Sequence, residues 1–287
     1  MNSFLPILRD IRNILGGIGF LLASAYAQEP VRLDSLFAPS IGMEKKFAVL
    51  LPHNFSNERR YPVLYLLHGH SGGYRDWVER TAVREYVENL PLIVVMPDAD
   101  NSWYVNSAGV PSHRYEDYVM KDLRHAVTAR YPVDTTKQAI AGLSMGGYGA
   151  LLFGMKHPGI FRFAASFSGA FLFPRFLGDT VLQPVSSALK VSLEKAFGPA
   201  PQQHHNANDV FDLLARSQPD SLPYIYLATG IQDGFKSFLR MHRAFADSLR
   251  ARNVSYEYHE AVGGHDWKFW DRELKRMLPR LREMMKF

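Results

Sequence analysis

The sequence contains no cysteine. That absence removes disulfides, thiolate catalysis and Cys–zinc sites together. It also excludes a lipid-modified cysteine after the apolar stretch near the N-terminus. Stability must therefore come from the core, without covalent staples. Apolar runs of membrane-spanning length are missing as well. The longest N-terminal run, Ile14 to Ala25, falls short of the ~20 residues a spanning helix needs. There is no internal repeat, no low-complexity tract and no block of like charge. Basic residues are scattered, and the densest stretch, Lys268 to Lys286, interleaves Lys/Arg with Glu. That pattern reads as a solvated helix face, so no nucleic-acid partner is expected.

What is present is the balance of a globular protein. Of 287 residues, 47% are apolar and 21% charged, with a net charge of +5. Residues 1–27 read as a signal peptide. Arg9 and Arg12 form its basic start, Ile14 to Ala25 its apolar centre, and Ala25-Tyr26-Ala27 a small-x-small cleavage site. This predicts a secreted or periplasmic protein with no stable membrane insertion once the signal is cleaved. The remainder, 28–287, is the size of one α/β domain, which can reach ~250 residues undivided.

Apolar runs alternate with helical stretches. The expected strands are Lys46–Leu51, Val63–Leu67, Leu92–Met96, Gln138–Leu143, Phe163–Phe167, Ile225–Ala228 and Ser255–Tyr258. Several are continuously apolar, as in strands buried on both faces of a parallel sheet. The expected helices are Trp77–Glu88, Tyr115–Arg130, Tyr148–Lys156, Phe235–Arg252 and Trp267–Met285. Strand–helix alternation predicts an α/β fold with a doubly wound, mostly parallel sheet. The stretch 171–209 breaks the rhythm. It carries Pro174, Pro184, Pro199, Pro201 and the pair His204-His205, and its length suggests a lid-like insertion over a site.

One motif carries chemistry. Gly142-Leu143-Ser144-Met145-Gly146 is a G-x-S-x-G pattern between an apolar strand and a helical stretch, the setting in which such a serine is lifted out of the sheet edge on a sharp turn. The N–H of Met145 then lies at a helix start, where partial positive charge favours a developing oxyanion. A hydroxyl needs a base, and the base an orienting acid. Among the histidines after Ser144, His265 in Val262-Gly263-Gly264-His265-Asp266-Trp267 lies in a strand-end loop that two glycines free to aim the ring. His157, His204, His205, His242 and His259 are weaker bases by position. Asp233, in Thr229-Gly230-Ile231-Gln232-Asp233-Gly234, also follows a strand and is the chosen acid, although an aspartate there also suits a helix cap. The early loop His68-Gly69-His70-Ser71-Gly72-Gly73 exposes backbone N–H groups after a strand, and the N–H of His70 is expected as second oxyanion donor. Trp103 and Tyr104 are candidate pocket-lining aromatics. No cofactor is called for, and no metal: His68 and His70 come with no further ligands.

Together these pieces resemble the esterase D, tributyrin esterase and feruloyl esterase branch of the α/β-hydrolases. The resemblance runs from about Phe47 to Phe269. It rests on Leu66-Leu67-His68-Gly69-His70 with Trp77, Asn101-Ser102-Trp103-Tyr104, Gly142 to Gly147, Gly230-Ile231-Gln232-Asp233, and Gly264-His265-Asp266-Trp267 with Trp270. It implies the α/β-hydrolase fold, a Ser144–His265–Asp233 triad, and an oxyanion hole from the N–H groups of His70 and Met145. Position 70 departs from the pattern, where leucine is common. The implied activity is a serine carboxylesterase acting on short-chain, acetyl or feruloyl-type esters of small molecules or polysaccharide. The alternatives are acyl transfer to a sugar or lipid acceptor, and an inactive carbohydrate-binding relative.

Overall fold

The computed structural model describes residues 31–171, 186–198 and 207–287. The proposed signal peptide, His204 and His205, and the four prolines of the insertion lie outside the described residues. Eight strands form a single sheet in the order β1-β2-β4-β3-β5-β6-β7-β8. They are β1 (Arg32–Ala38), β2 (Met43–Leu50), β3 (Tyr61–Leu67), β4 (Ile93–Pro97), β5 (Val133–Leu143), β6 (Phe163–Phe167), β7 (Tyr224–Gly230) and β8 (Tyr256–Ala261). From β4 to β8 every neighbouring pair is parallel, while β1 and β2 run antiparallel at one edge.

Helices cover both faces. On one side lie α1 (Asp76–Arg80), α2 (Val83–Val87) and α8 (Trp267–Met285). They bury Trp77, Val83, Phe269, Leu274 and Leu281 against Leu64, Leu66, Val94 and Ala141. On the other lie α3 (the continuous run Tyr115–Asp117, Tyr118–Leu123 and Arg124–Arg130), α4 (Met145–Lys156), α5 (Ser187–Phe197), α6 (Val210–Arg216) and α7 (Lys236–Ala251). Their side chains pack with the alternate strand residues Val63, Tyr65 and Leu67. Side chains alternate across a strand, so the uninterrupted apolar β3 feeds two cores at once. The doubly wound expectation holds.

Three departures from the sequence reading have local causes. The expected helix over Trp77–Glu88 breaks at Thr81, whose backbone is extended (φ −137°, ψ 167°). The Thr81 hydroxyl bonds back to Trp77 O and accepts Val83 N–H, and the Ala82 N–H is taken by Asp271 on α8. The helix Tyr115–Arg130 contains a π-helical segment at Tyr118–Leu123. Strand β1, unread in the sequence because Arg32 to Ala38 mixes charged and apolar residues without strict alternation, pairs all along β2. Its Leu33 and Phe37 remain exposed.

Candidate active site

Ser144 directly follows β5 and occupies the N-cap position of α4 with φ +50° and ψ −116°. This is a sparsely populated conformation for a residue with a Cβ, and it persists only where the surroundings over-determine it. Here they do. The Ser144 N–H donates to Phe167 O at 2.9 Å, and its carbonyl accepts from both Tyr148 N and Ala170 N at 3.0 Å. The turn is so tight that a Cβ on Gly146 would lie 2.5 Å from His68 O and 2.6 Å from Leu67 O. Only glycine fits there.

The imidazole of His265 comes from the loop between β8 and α8, just ahead of Asp266, whose carboxylate caps α8 at Phe269 N. His265 Nε2 stands 2.9 Å from Ser144 Oγ, and Nδ1 stands 2.9 Å from Asp233 Oδ2. Asp233 is buried. Its other oxygen accepts Phe235 N–H at 2.9 Å, a bond within the loop ahead of α7, whose N-cap is Phe235 itself, so Asp233 orients the imidazole and is not the cap of that helix. The carboxylate fixes the tautomer: Nδ1–H donates to Asp233, which leaves the Nε2 lone pair facing the serine hydroxyl. The two loops are locked to each other. Gln232 N–H donates to Gly263 O at 3.0 Å, and a Cβ on Gly230 would strike Gly263 O at 2.3 Å. Phe235, Phe238 and Trp270 present edge-to-face contacts to the His265 ring at 5.1, 5.7 and 5.0 Å, which holds its plane.

The other histidines do different work. His242 is buried in the core, with Nδ1–H donating to Phe238 O at 2.8 Å, and burial pushes its pKa down to about 4. His157 pairs with Glu116 and His259 with Glu257. His68 donates from Nδ1 to Gly69 O at 2.7 Å and accepts Ala99 N–H at Nε2 at 3.0 Å. Both its ring nitrogens are thus taken by backbone, and burial lowers its pKa.

Met145 is the first residue of α4, where a helix N–H lacks an intrahelical acceptor. The His70 loop packs beside it: a Cβ on Gly69 would lie 3.6 Å from Ser144 Cβ. Gly69 and His70 line the same cavity as Ser144. Trp103 and Tyr104 part company. Both have positive φ, 57° and 59°. Trp103 lines the cavity at Ser144. Tyr104 does not. It is buried beneath α4 against Gly149, and its hydroxyl donates to His68 O at 2.9 Å. Consecutive residues in this turn point to different sides, so Tyr104 is a support for the His68 backbone and not a pocket residue.

The cavity holds about 380 Å³, within the range of small-ligand sites. One wall is apolar, from Leu143, Leu189, Phe235, Phe238 and Trp270, and the other polar, from Ser71, Asp76 and Arg80. Leu189 lies on α5, within the insertion, and lines the cavity together with Ser186. Leu189, Phe235 and Phe238 were not singled out in the sequence, although Phe235 and Phe238 one turn apart directly after Asp233 were a usable signal.

Residues 38–281 match the sequence pattern of the family described as "Putative esterase". The chain belongs to this esterase family. An acetyl esterase of Caldicellulosiruptor saccharolyticus is 28% identical over 213 residues, 73% of this chain and 79% of that one. An esterase of Mycobacterium tuberculosis is 30% identical over 251 residues, and the chain spans only 53% of its length. Among solved structures, the fluorophosphonate-binding serine hydrolase F of Staphylococcus aureus matches with a TM-score of 0.74 at 26% identity, covering 89% of this esterase and 99% of that chain. A ferulic acid esterase matches with a TM-score of 0.72 at 26% identity, covering 89% and 98%. This chain is accordingly a serine esterase, a carboxylic ester hydrolase on the α/β-hydrolase fold.

Proposed function

We propose that the esterase works by two-step acyl transfer through Ser144. His265 Nε2 takes the hydroxyl proton as Oγ attacks the ester carbonyl, and Asp233 stabilises the imidazolium that forms. The N–H groups of Met145 and His70 hold the tetrahedral oxyanion. The alcohol leaves with the proton from His265. Water then attacks the acyl carbonyl, giving its proton to the same nitrogen, and as the C–Oγ bond breaks that proton returns to Ser144 Oγ and the acid is released. The observation that carries this reading is the 2.9 Å Oγ–Nε2 contact backed by the 2.9 Å Nδ1–Oδ2 contact, on a serine held in a strained turn. Replacing Ser144 by Ala should abolish p-nitrophenyl acetate turnover; a variant with wild-type turnover would refute the assignment.

For substrate, we favour short acyl groups, acetyl first, on small molecules or polysaccharide. A cavity of about 380 Å³ roofed by Leu189 suits a compact acyl group, and the relatives include an acetyl esterase and a ferulic acid esterase. Acetylated xylan, feruloyl esters and p-nitrophenyl esters of rising chain length, assayed side by side, rank these options. A fall in kcat/KM beyond butyrate is the expected result. Relatives called diacylglycerol acyltransferase/mycolyltransferase also align, at 22% identity over 292 residues. Product analysis with added acceptor alcohol separates hydrolysis from transfer, and free acid is the expected main product. We further propose export, with cleavage after Ala27. N-terminal sequencing of the mature protein should begin at Gln28. No helix of the described residues is long and apolar enough to cross a membrane.

A further inference from the structure

The insertion helix α5 places one hydroxyl against two cavity-lining side chains, those of Trp103 and His70. Ser192 is buried, one turn beyond the cavity-lining Leu189. Its Oγ donates to Leu189 O at 2.8 Å, accepts Trp103 Nε1–H at 3.0 Å, and stands 3.1 Å from His70 Nε2. A hydroxyl has one proton and two lone pairs. With the proton committed to Leu189 and one lone pair to Trp103, the remaining lone pair needs a donor. A proton on His70 Nε2 supplies it while leaving the Leu189 and Trp103 bonds in place. Its Nδ1 is then the acceptor for Ser71 O–H, 3.0 Å away. Burial, followed by the nearness of His68, lowers the pKa of His70 and keeps the ring in this neutral form.

Three chain segments thus meet at Ser192 Oγ: the loop after β3, the loop at Trp103, and the insertion. The first of these holds the backbone N–H assigned to the oxyanion. It needs holding, because Ser71 has φ +62° and the sequence around it is glycine-rich.

We propose that Ser192 is a positioning residue: through His70 it fixes the aim of the second oxyanion donor, and through α5 it sets Leu189 as the wall of the acyl site. Helix α5 is then a strut of the catalytic site. This rests on the acyl-transfer reading above.

The test uses the full chain and compares wild type with Ser192→Ala, Ser192→Thr, His70→Phe and the Ser192→Ala/His70→Phe pair on p-nitrophenyl acetate. Ser192→Ala should lower kcat about tenfold, equivalent to about 1.4 kcal/mol, with little change in KM, because the lost interaction serves the transition state. Ser192→Thr keeps the hydroxyl and should recover most of the rate. The double variant should lose less than the product of the two single losses, since both changes break the shared His70–Ser192 link. Wild-type kcat in Ser192→Ala, or multiplying losses in the double variant, would overturn the proposal. An activity-free measurement separates it from the esterase reading. Imidazole ¹⁵N NMR should find His70 as the Nε2–H tautomer in wild type, with that proton's exchange accelerated in Ser192→Ala. A different tautomer, or exchange unchanged by the substitution, would sink the node even if the enzyme proved active.

Discussion

Asp233→Asn isolates the role of the acid, because the structure separates the two jobs of this carboxylate. Oδ1 accepts Phe235 N–H and Oδ2 accepts His265 Nδ1–H, each at 2.9 Å. An asparagine keeps an oxygen for Phe235 N–H, so the loop ahead of α7 stays tied. Its amide, however, presents N–H to His265 Nδ1. The imidazole must then accept at Nδ1 and carry its proton on Nε2, which points an N–H at Ser144 Oγ. The base is lost while volume and the Phe235 contact remain. A wrong tautomer of this kind costs a serine triad about 10⁴ in kcat, or about 5 kcal/mol of transition-state stabilisation. Asp233→Ala is the control. It removes the loop bond to Phe235 N–H as well, which costs about 1 kcal/mol of stability, and should lower the melting temperature where Asn does not. The assay is steady-state hydrolysis of p-nitrophenyl acetate alongside thermal unfolding. A kcat for Asp233→Asn within about tenfold of wild type would refute the reasoning, since tautomer control would then contribute almost nothing.

Other expectations are equally direct. Gly146→Ala forces a Cβ to 2.5 Å from His68 O; soluble yield or melting temperature should fall sharply, by several kcal/mol in stability. Leu189→Ala opens the roof of the cavity, so the ratio of kcat/KM for hexanoate over acetate esters should rise, which a chain-length series measures. Burial pushes the pKa of His242 down to about 4, against about 6.5 in the unfolded chain. The unfolded state therefore binds the extra proton first. Stability present above pH 6.5 should be lost progressively towards pH 4, by up to about 3 kcal/mol. His242→Leu should flatten that part of the stability–pH curve, as denaturant titrations at several pH values would reveal.

Much of this architecture was legible because buried parallel strands write themselves plainly. Val63 to Leu67 and Leu92 to Met96 are apolar without interruption, and the helix Trp267–Met285 has the bounds read from sequence. The meeting of Ser144, His265 and Asp233 was anticipated from strand-end loops and chain order, since a parallel sheet gathers all such loops at one edge. What stayed hidden was set by tertiary contact. Strand β5 begins at Val133, five residues before its apolar run, because Tyr61 N–H reaches Pro132 O and Tyr61 pairs with Val133 across a register shift. Nothing local in Asp134 to Lys137 announces that. Trp103 and Tyr104 look alike in sequence, yet successive left-handed residues send one ring to the cavity and the other under α4. Ser192 is an unremarkable helical serine until folding brings it to His70 and Trp103, 122 and 89 residues away.

The account turns on a covalent acyl group forming at one hydroxyl. Acid-quenching the esterase during turnover of p-nitrophenyl acetate and mapping its peptides by mass spectrometry tests this directly. The account predicts one acetyl group on the peptide containing Ser144, accumulating further in a variant slowed in deacylation and missing in Ser144→Ala. Turnover with no such adduct in either enzyme, or an adduct on another residue that forms and decays at the catalytic rate, would contradict it.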